Sequence, residues 1–268
     1  MSGDAIVFSG YFPNEPSLMV LRLFLDLWEA FYADCDIYAG INRPSVDGAL
    51  RLLERSPLRI RHAIVEPELV TDSDVSGYQA ALGLLKRAAQ PHRIVWFMHS
   101  KGSSHFERGP ANPSFGYLLR VALKFLADRR AITAEMEADP KCGTYSFEIA
   151  KDKPGASATS TNPNDVLGQL ARFDRPDFHR YFCVATLYAM RGELVDRFVR
   201  ECDEKFFTRN LIRDCGADRY FFEQTFPNVA WRRGYRPRFR HWYGKADFLE
   251  PADTFEADWS AFVNGDER

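Results

Sequence analysis

Hydrophobic and polar positions along the first hundred residues fall into blocks that switch period. "DAIVFSGYF" (4–12) is an apolar run stopped by Pro13 and Asn14, and it predicts a buried strand. Apolar positions then recur at helical spacing from Ser17, a candidate N-cap, to about Ala33. "CDIYAGIN" (35–42) predicts a second strand ended by Arg43-Pro44, "VDGALRLLERS" (46–56) a helix, and "LRIRHAIVE" (58–66) a third strand. "DVSGYQAALGLLKRAA" (74–89) has helical spacing, and residues 93–98 form a fourth strand. Alternation of this kind predicts βαβ units, a largely parallel sheet and right-handed crossovers with helices on both faces.

After residue 113 the pattern loosens. "SFGYLLRVALKFLADRRAITAEMEA" predicts one long helix capped by Ser114, and "CGTYSFE" (142–148) a strand. Residues 151–180 are rich in Pro, Gly, Ser, Thr and Asn, with one short helical run; surface loop and substrate lid both have this composition. "YFCVATLYAM" (181–190) predicts a strand and "GELVDRFVREC" a helix. With no internal repeat and no interdomain linker, one domain over 1–268 is expected, its first half (1–110) distinct in pattern from 111–268.

Composition narrows the partners. Among 268 residues, 35 Lys and Arg stand against 37 Asp and Glu, so any electrostatic partner must meet a local patch, and nothing global points to nucleic acid. Five widely spaced cysteines form no CxxC pair, which fits reduced thiols in the cytoplasm. "MSGDAIVFSG" lacks the basic and apolar regions of a signal peptide, and Arg22, Asp26 and Glu29 interrupt the longest apolar stretch.

The fourth strand raises the chemical question. "RIVWFMHSKGSSHF" passes from Trp96, Phe97 and Met98 directly into His99, Ser100, Lys101 and Gly102. Open α/β sheets place ligands at the carboxyl ends of their strands, so the histidine and lysine are candidates for a site there; a strand leaving for solvent is the alternative.

The order of elements resembles that of nucleotide-sugar glycosyltransferases with a GT-A fold, and within them bacterial polysaccharide enzymes of the rhamnan-synthesis type. The resemblance rests on "TDSDVSGYQAALGLL" followed by "WFMHSKGSS", on "YFCVATLYAMRGELVDRF", and on "GADRYFFEQTFPNV", and it covers most of residues 4–230. It implies an α/β, GT-A-like (Rossmann-like) three-layer sandwich with a mainly parallel central sheet. It also implies transfer of a sugar from a nucleoside-diphosphate sugar to a glycan or lipid-linked glycan, at the cytoplasmic face. Residues 1–110 would bind the donor and 111–268 face the acceptor. A catalytically inert carbohydrate-binding protein and a nucleotidyltransferase are the alternatives on the same fold. Many GT-A enzymes carry Asp-x-Asp on the fourth strand to hold a divalent ion; here the slot holds His99-Ser100-Lys101. Lys101 suits a diphosphate without a metal, while "TDSD" (71–74) leaves manganese or magnesium open.

Within that frame the candidate residues take roles. Tyr11 or Phe12 would stack on the base and Ser9 and Asn14 hydrogen-bond it, with packing of the sheet edge as the alternative for this turn. Asn42 and Arg43 would lie beside the nucleotide, and Asp74, Tyr78, His99, Ser100, Lys101 and Gly102 would line the donor site. Glu223, with Asp218 as competitor, is the candidate base for the acceptor hydroxyl, because displacement at an anomeric carbon needs a proton acceptor. Asp74 and Glu148 come next. "WRRGYRPRFRHWYGK" (231–245) has five Arg, one Lys and no acid. It would serve as a phosphate clamp or a surface for anionic lipid, or be a solvated tail.

Overall fold

The computed structural model describes residues 3–43, 46–71, 74–88, 90–100, 103, 122–146, 149–150, 182–183, 186–215 and 221–239. Four strands, β1 (Ala5–Tyr11), β2 (Asp36–Asn42), β3 (Ile60–Ile64) and β4 (Ile94–His99), alternate with α1 (Leu18–Phe31), α2 (Val46–Arg55) and α3 (Val75–Ala88). Side chains of β1, β2 and β4 are buried on both faces, which explains why these strands read as continuous apolar runs. Ile6, Phe8, Ile41, Trp96 and Met98 pack with α1 and α2, whereas Val7, Tyr38, Val95 and Phe97 pack with α3. The period of two thus divides each strand between two cores.

The second half adds a short helical stretch at 122–127, a turn at Asp128, and α4 (Arg129–Ala138). Then come β5 (Cys142–Ser146), the small pair β6 (Ile149–Ala150) and β7 (Phe182–Cys183), and β8 (Tyr188–Arg191). Helices α5 (Gly192–Glu201), α6 (Glu204–Thr208), α7 (Leu211–Cys215) and α8 (Phe221–Arg232) lead to β9 (Arg236–Phe239). Among the described residues the main sheet has seven strands in the order β3-β2-β1-β4-β8-β5-β9. Neighbours are parallel except for β8, which runs antiparallel between β4 and β5. With helices on both faces this is the α/β, mainly parallel three-layer architecture expected.

Several sequence expectations change. A 3-10 turn, Glu15–Ser17, precedes α1 and is capped by Asn14, whose side chain accepts from the Ser17 amide at 3.1 Å and whose amide donates to the Ser17 hydroxyl; Ser17 stands at the N-cap of α1 without a side-chain cap bond. The single long helix after Ser114 breaks at Asp128 within its described part, where Arg129 turns inward. The strand expected over 181–190 is interrupted at Thr186. Helix α8 runs through Pro227 to Arg232. Pro227 has no amide hydrogen to give the carbonyl four residues earlier, which is that of Glu223. The 151–180 loop and Glu148 lie outside the described residues.

The basic stretch 231–245 is described as far as Phe239, and there it belongs to the sheet. Arg233 pairs with Glu201 at 3.1 Å, while Arg236 and Arg238 reach Asp139 at 3.7 and 3.6 Å. Arg233, Arg236 and Arg238 each thus face an acid of the same chain. Among the described residues no helix is long and apolar enough to cross a membrane.

One close approach fixes the first turn of α3. A Cβ on Gly77 would stand 2.1 Å from Ser9 Oγ, and one on Gly40 would stand 2.0 Å from the Gly77 carbonyl oxygen. Helix α3 therefore rests directly on β1 and β2. Gly77→Ala should destabilise the fold by roughly 1–3 kcal/mol, because the Ser9 hydroxyl must give up its bond to Asp74 and the Ser9 Cβ, 2.9 Å away, must shift. Gly83→Ala is the matched control: its Cβ would meet nothing closer than 3.4 Å, and removing glycine from a helix stabilises by about 0.4–1 kcal/mol. Urea unfolding followed by circular dichroism measures both.

Candidate functional site

The strand order reverses between β1 and β4, since β1 leads outward to β2 while β4 lies on its other side. A crevice opens at the carboxyl ends of strands at such a point. The residues there are Tyr11 at the end of β1, Asn42 at the end of β2, and His99 and Ser100 at the end of β4. Because β8 is antiparallel and pairs Tyr188 with Phe97, the residues before it return to the same edge. Thr186 arrives there level with His99.

Two acidic side chains from distant parts of the chain meet at Thr186, and His99 stands beside one of them. The Thr186 hydroxyl donates to Asp74 Oδ2 at 3.0 Å and lies 3.4 Å from Glu223 Oε1. His99 Nδ1 stands 3.9 Å from Asp74 Oδ2, an ion pair when the imidazole is protonated. Asp74 is the residue whose carbonyl accepts the first bond of α3, from the Tyr78 amide at 3.0 Å. The Ser9 hydroxyl donates to that carbonyl at 2.9 Å, tying the start of α3 to β1. Glu223 is 9% exposed, in the first turn of α8 and next to the buried Phe221 and Phe222.

Thr186 has φ +48, the left-handed region that a β-branched residue avoids. Neighbours hold it there. The Tyr78 hydroxyl donates to the Thr186 carbonyl at 3.3 Å and the Ser146 hydroxyl to the Leu187 carbonyl at 3.1 Å. The Tyr188 hydroxyl donates to the Phe222 carbonyl at 2.9 Å, one residue before Glu223. Burial pushes the Tyr78 phenol well above its ordinary value, so it stays a hydrogen donor.

The sequence candidates divide accordingly. Asp74, His99 and Glu223 come together. Tyr78 is fully buried, its ring against Phe97 and Phe222, so it supports the site from beneath and does not line it. Phe12 is likewise at 0% exposure within the core of α1, leaving no ring face for a base; half-buried Tyr11 is the aromatic of that turn at the crevice. Ser9 is committed to Asp74. The Ser100 hydroxyl accepts from the Tyr11 amide at 2.8 Å and donates to the Tyr11 carbonyl at 3.1 Å, and Ser103 adds a bond to the same carbonyl. That cluster closes the loop after β4 onto the loop after β1. Asn42, 1% exposed, accepts from the Ser76 hydroxyl at 3.1 Å, whereas Arg43 is exposed. Lys101, Gly102, Asp72 and Asp218 lie outside the described residues.

Sequence reading missed Thr186. Its left-handed φ and its hydrogen bonds to Asp74 and Tyr78 mark it, while "FCVATLYAM" is uninterrupted as a pattern. For a divalent ion, the described residues offer no group of three or more His, Cys, Asp or Glu placed as ligands. Cys35 and Cys142 are buried, and burial raises both thiols far above the range of a nucleophile.

No family model and no curated relative matches the chain. Among solved structures, a crystal structure of 4-diphosphocytidyl-2C-methyl-D-erythritol synthase aligns over 98% of this chain and 99% of its own, at 12% identity and a TM-score of 0.42. A structure of the same enzyme from Anaerococcus prevotii aligns over 99% and 97%, at 12% identity and a TM-score of 0.38. Likeness at this distance does not bear on the reaction.

Proposed function

We propose that the chain is a transferase acting on a nucleoside-diphosphate sugar, moving the sugar to a hydroxyl of a glycan. The observation that carries this reading is the pair of acidic side chains, Asp74 and Glu223, on either side of the Thr186 hydroxyl at the switch-point edge. The nucleotide would lie over the ends of β1 and β2 against Tyr11, with its diphosphate at the end of β4. There His99, and Lys101 from the adjoining loop, would meet the phosphates. Glu223 would take the acceptor's proton as the glycosyl bond to the diphosphate breaks, releasing nucleoside diphosphate.

Nucleotidyl transfer is the second reading, and it is the class in which the names of the two structural matches, synthases of a diphosphocytidyl compound, would fall. Products separate the two. Thermal unfolding against a panel of nucleotides and sugar nucleotides should show stabilisation by one sugar nucleotide, in proportion to affinity and concentration. Incubation with that donor should release nucleoside diphosphate. Lys101→Ala should weaken nucleoside-diphosphate binding by roughly 1.5–3 kcal/mol in calorimetry, the value of one charge-assisted contact. Binding should persist in a chelator. Turnover only with a nucleoside triphosphate, with pyrophosphate released, would establish the second reading instead. A glycan ligand without any nucleotide ligand would mark an inert binder.

A further inference from the structure

A threonine hydroxyl carries one proton, and at Thr186 two carboxyl groups face it. It can donate to only one at a time, and the nearer is Asp74, at 3.0 Å against 3.4 Å for Glu223. The residue delivering this hydroxyl sits at φ +48 and is 1% exposed. Valine would nearly fill the space and serine would keep the hydroxyl; glycine would leave a void but alone would adopt this backbone without strain. A strained conformation persists only where surroundings over-determine it. Here they do, through Tyr78 on its carbonyl, Ser146 on the next carbonyl, and β8 immediately beyond.

We propose that Thr186 is a positioning residue whose left-handed backbone aims one hydroxyl between Asp74 and Glu223 and thereby gives the two carboxyl groups different tasks. Asp74, receiving the proton, is fixed at the start of α3 and faces His99 and the donor. Glu223 is held at the far side of the same oxygen, where it meets the acceptor. Thr186 touches neither substrate; it acts through the two acids. The inference rests on the transferase reading for its catalytic consequence and on geometry alone for the coupling of the two side chains.

Three variants and two readouts test it. Thr186→Gly removes hydroxyl and strain together, and should lower kcat by roughly 10²-fold, with donor KM little changed. Thr186→Val keeps the strain and loses the hydroxyl, so kcat should fall similarly. Thr186→Ser keeps the hydroxyl and should restore kcat and its pH profile. A valine variant with wild-type kcat and pH profile would overturn the proposal. The second readout needs no substrate. Carboxyl carbon resonances of Asp74 and Glu223, in protein labelled at Asp and Glu, should both shift in Thr186→Val and stay in place in Thr186→Ser. If they ignore the valine, the coupling is refuted whatever the enzyme does. If they respond and no donor is turned over, the coupling stands and the transferase reading alone fails.

Discussion

Glu223→Gln is expected to reduce sugar transfer by a factor on the order of 10²–10⁴ while leaving donor binding intact, the usual contribution of a positioned general base. Glutamine preserves the size of the side chain and its reach to Thr186 but cannot accept a proton near neutral pH. The environment suits the role. Glu223 is 9% exposed, beside Phe221 and Phe222, and is anchored through its neighbour's carbonyl to Tyr188. Single-turnover transfer, with calorimetry for the donor, separates the chemical effect from binding. Asp74→Asn should act differently: with Asp74 beside His99, donor affinity should suffer together with turnover. Asp218→Asn is the control at the competing acid. Loss of transfer there, with Glu223→Gln unaffected, would reverse the assignment.

Asp4→Ala should destabilise the protein by about 3–5 kcal/mol, the range for removing one partner of a buried ion pair. The Asp4 side chain is wholly buried just before β1, at the edge of the sheet opposite the site. It accepts from Arg129 Nη2 at 2.7 Å and from Arg93 at 2.8 and 3.1 Å. Arg129 is only 10% exposed and also bonds the Phe31 carbonyl and Asp34, so removing Asp4 leaves a guanidinium in the interior with part of its charge unmatched. Urea unfolding measures the loss. A companion effect appears in acid. The hydrogen bond from Arg129, the largest influence, holds the Asp34 carboxyl below the usual value despite some opposing burial. A group lowered in the folded state adds stability above its unfolded pKa and loses it as pH falls through the folded value. Asp34→Asn should therefore flatten the acid side of the stability profile.

The elements of the first hundred residues were legible because each strand is buried on both faces and each helix on one. β1, β2 and β4 begin and end within about two residues of their apolar runs. What escaped reading was set by contacts between distant residues. "KFLADRRAIT" contains only helix-compatible residues, yet the helix breaks at Asp128, where Arg129 is drawn to Asp4 and Asp34. Phe12 reads as a turn aromatic suited to a base, but the fold of α1 over β1 encloses it. That Arg233, Arg236 and Arg238 lie beside Glu201 and Asp139 is likewise invisible in the sequence. Of the site, Asp74, His99 and Glu223 were visible as polar residues at element ends. Their meeting point at Thr186 was not, since a left-handed threonine has no composition of its own.

The placement of β8 also dictates the order in which the chain can be completed on the ribosome. β1 to β4 form a unit of parallel crossovers that can assemble as soon as residue 99 has emerged. Its β4 edge, apolar on both faces, then stays open, because the strand that covers it pairs Ile94 with Arg191. β5 emerges first but has no place beside β4; it pairs with β8 and waits for it too. At about 5–20 residues per second this leaves an uncovered edge strand exposed for several seconds of synthesis. Nascent chains stalled between residues 150 and 185 should therefore bind holdase chaperones and cross-link through β4, and chains released past residue 200 should not.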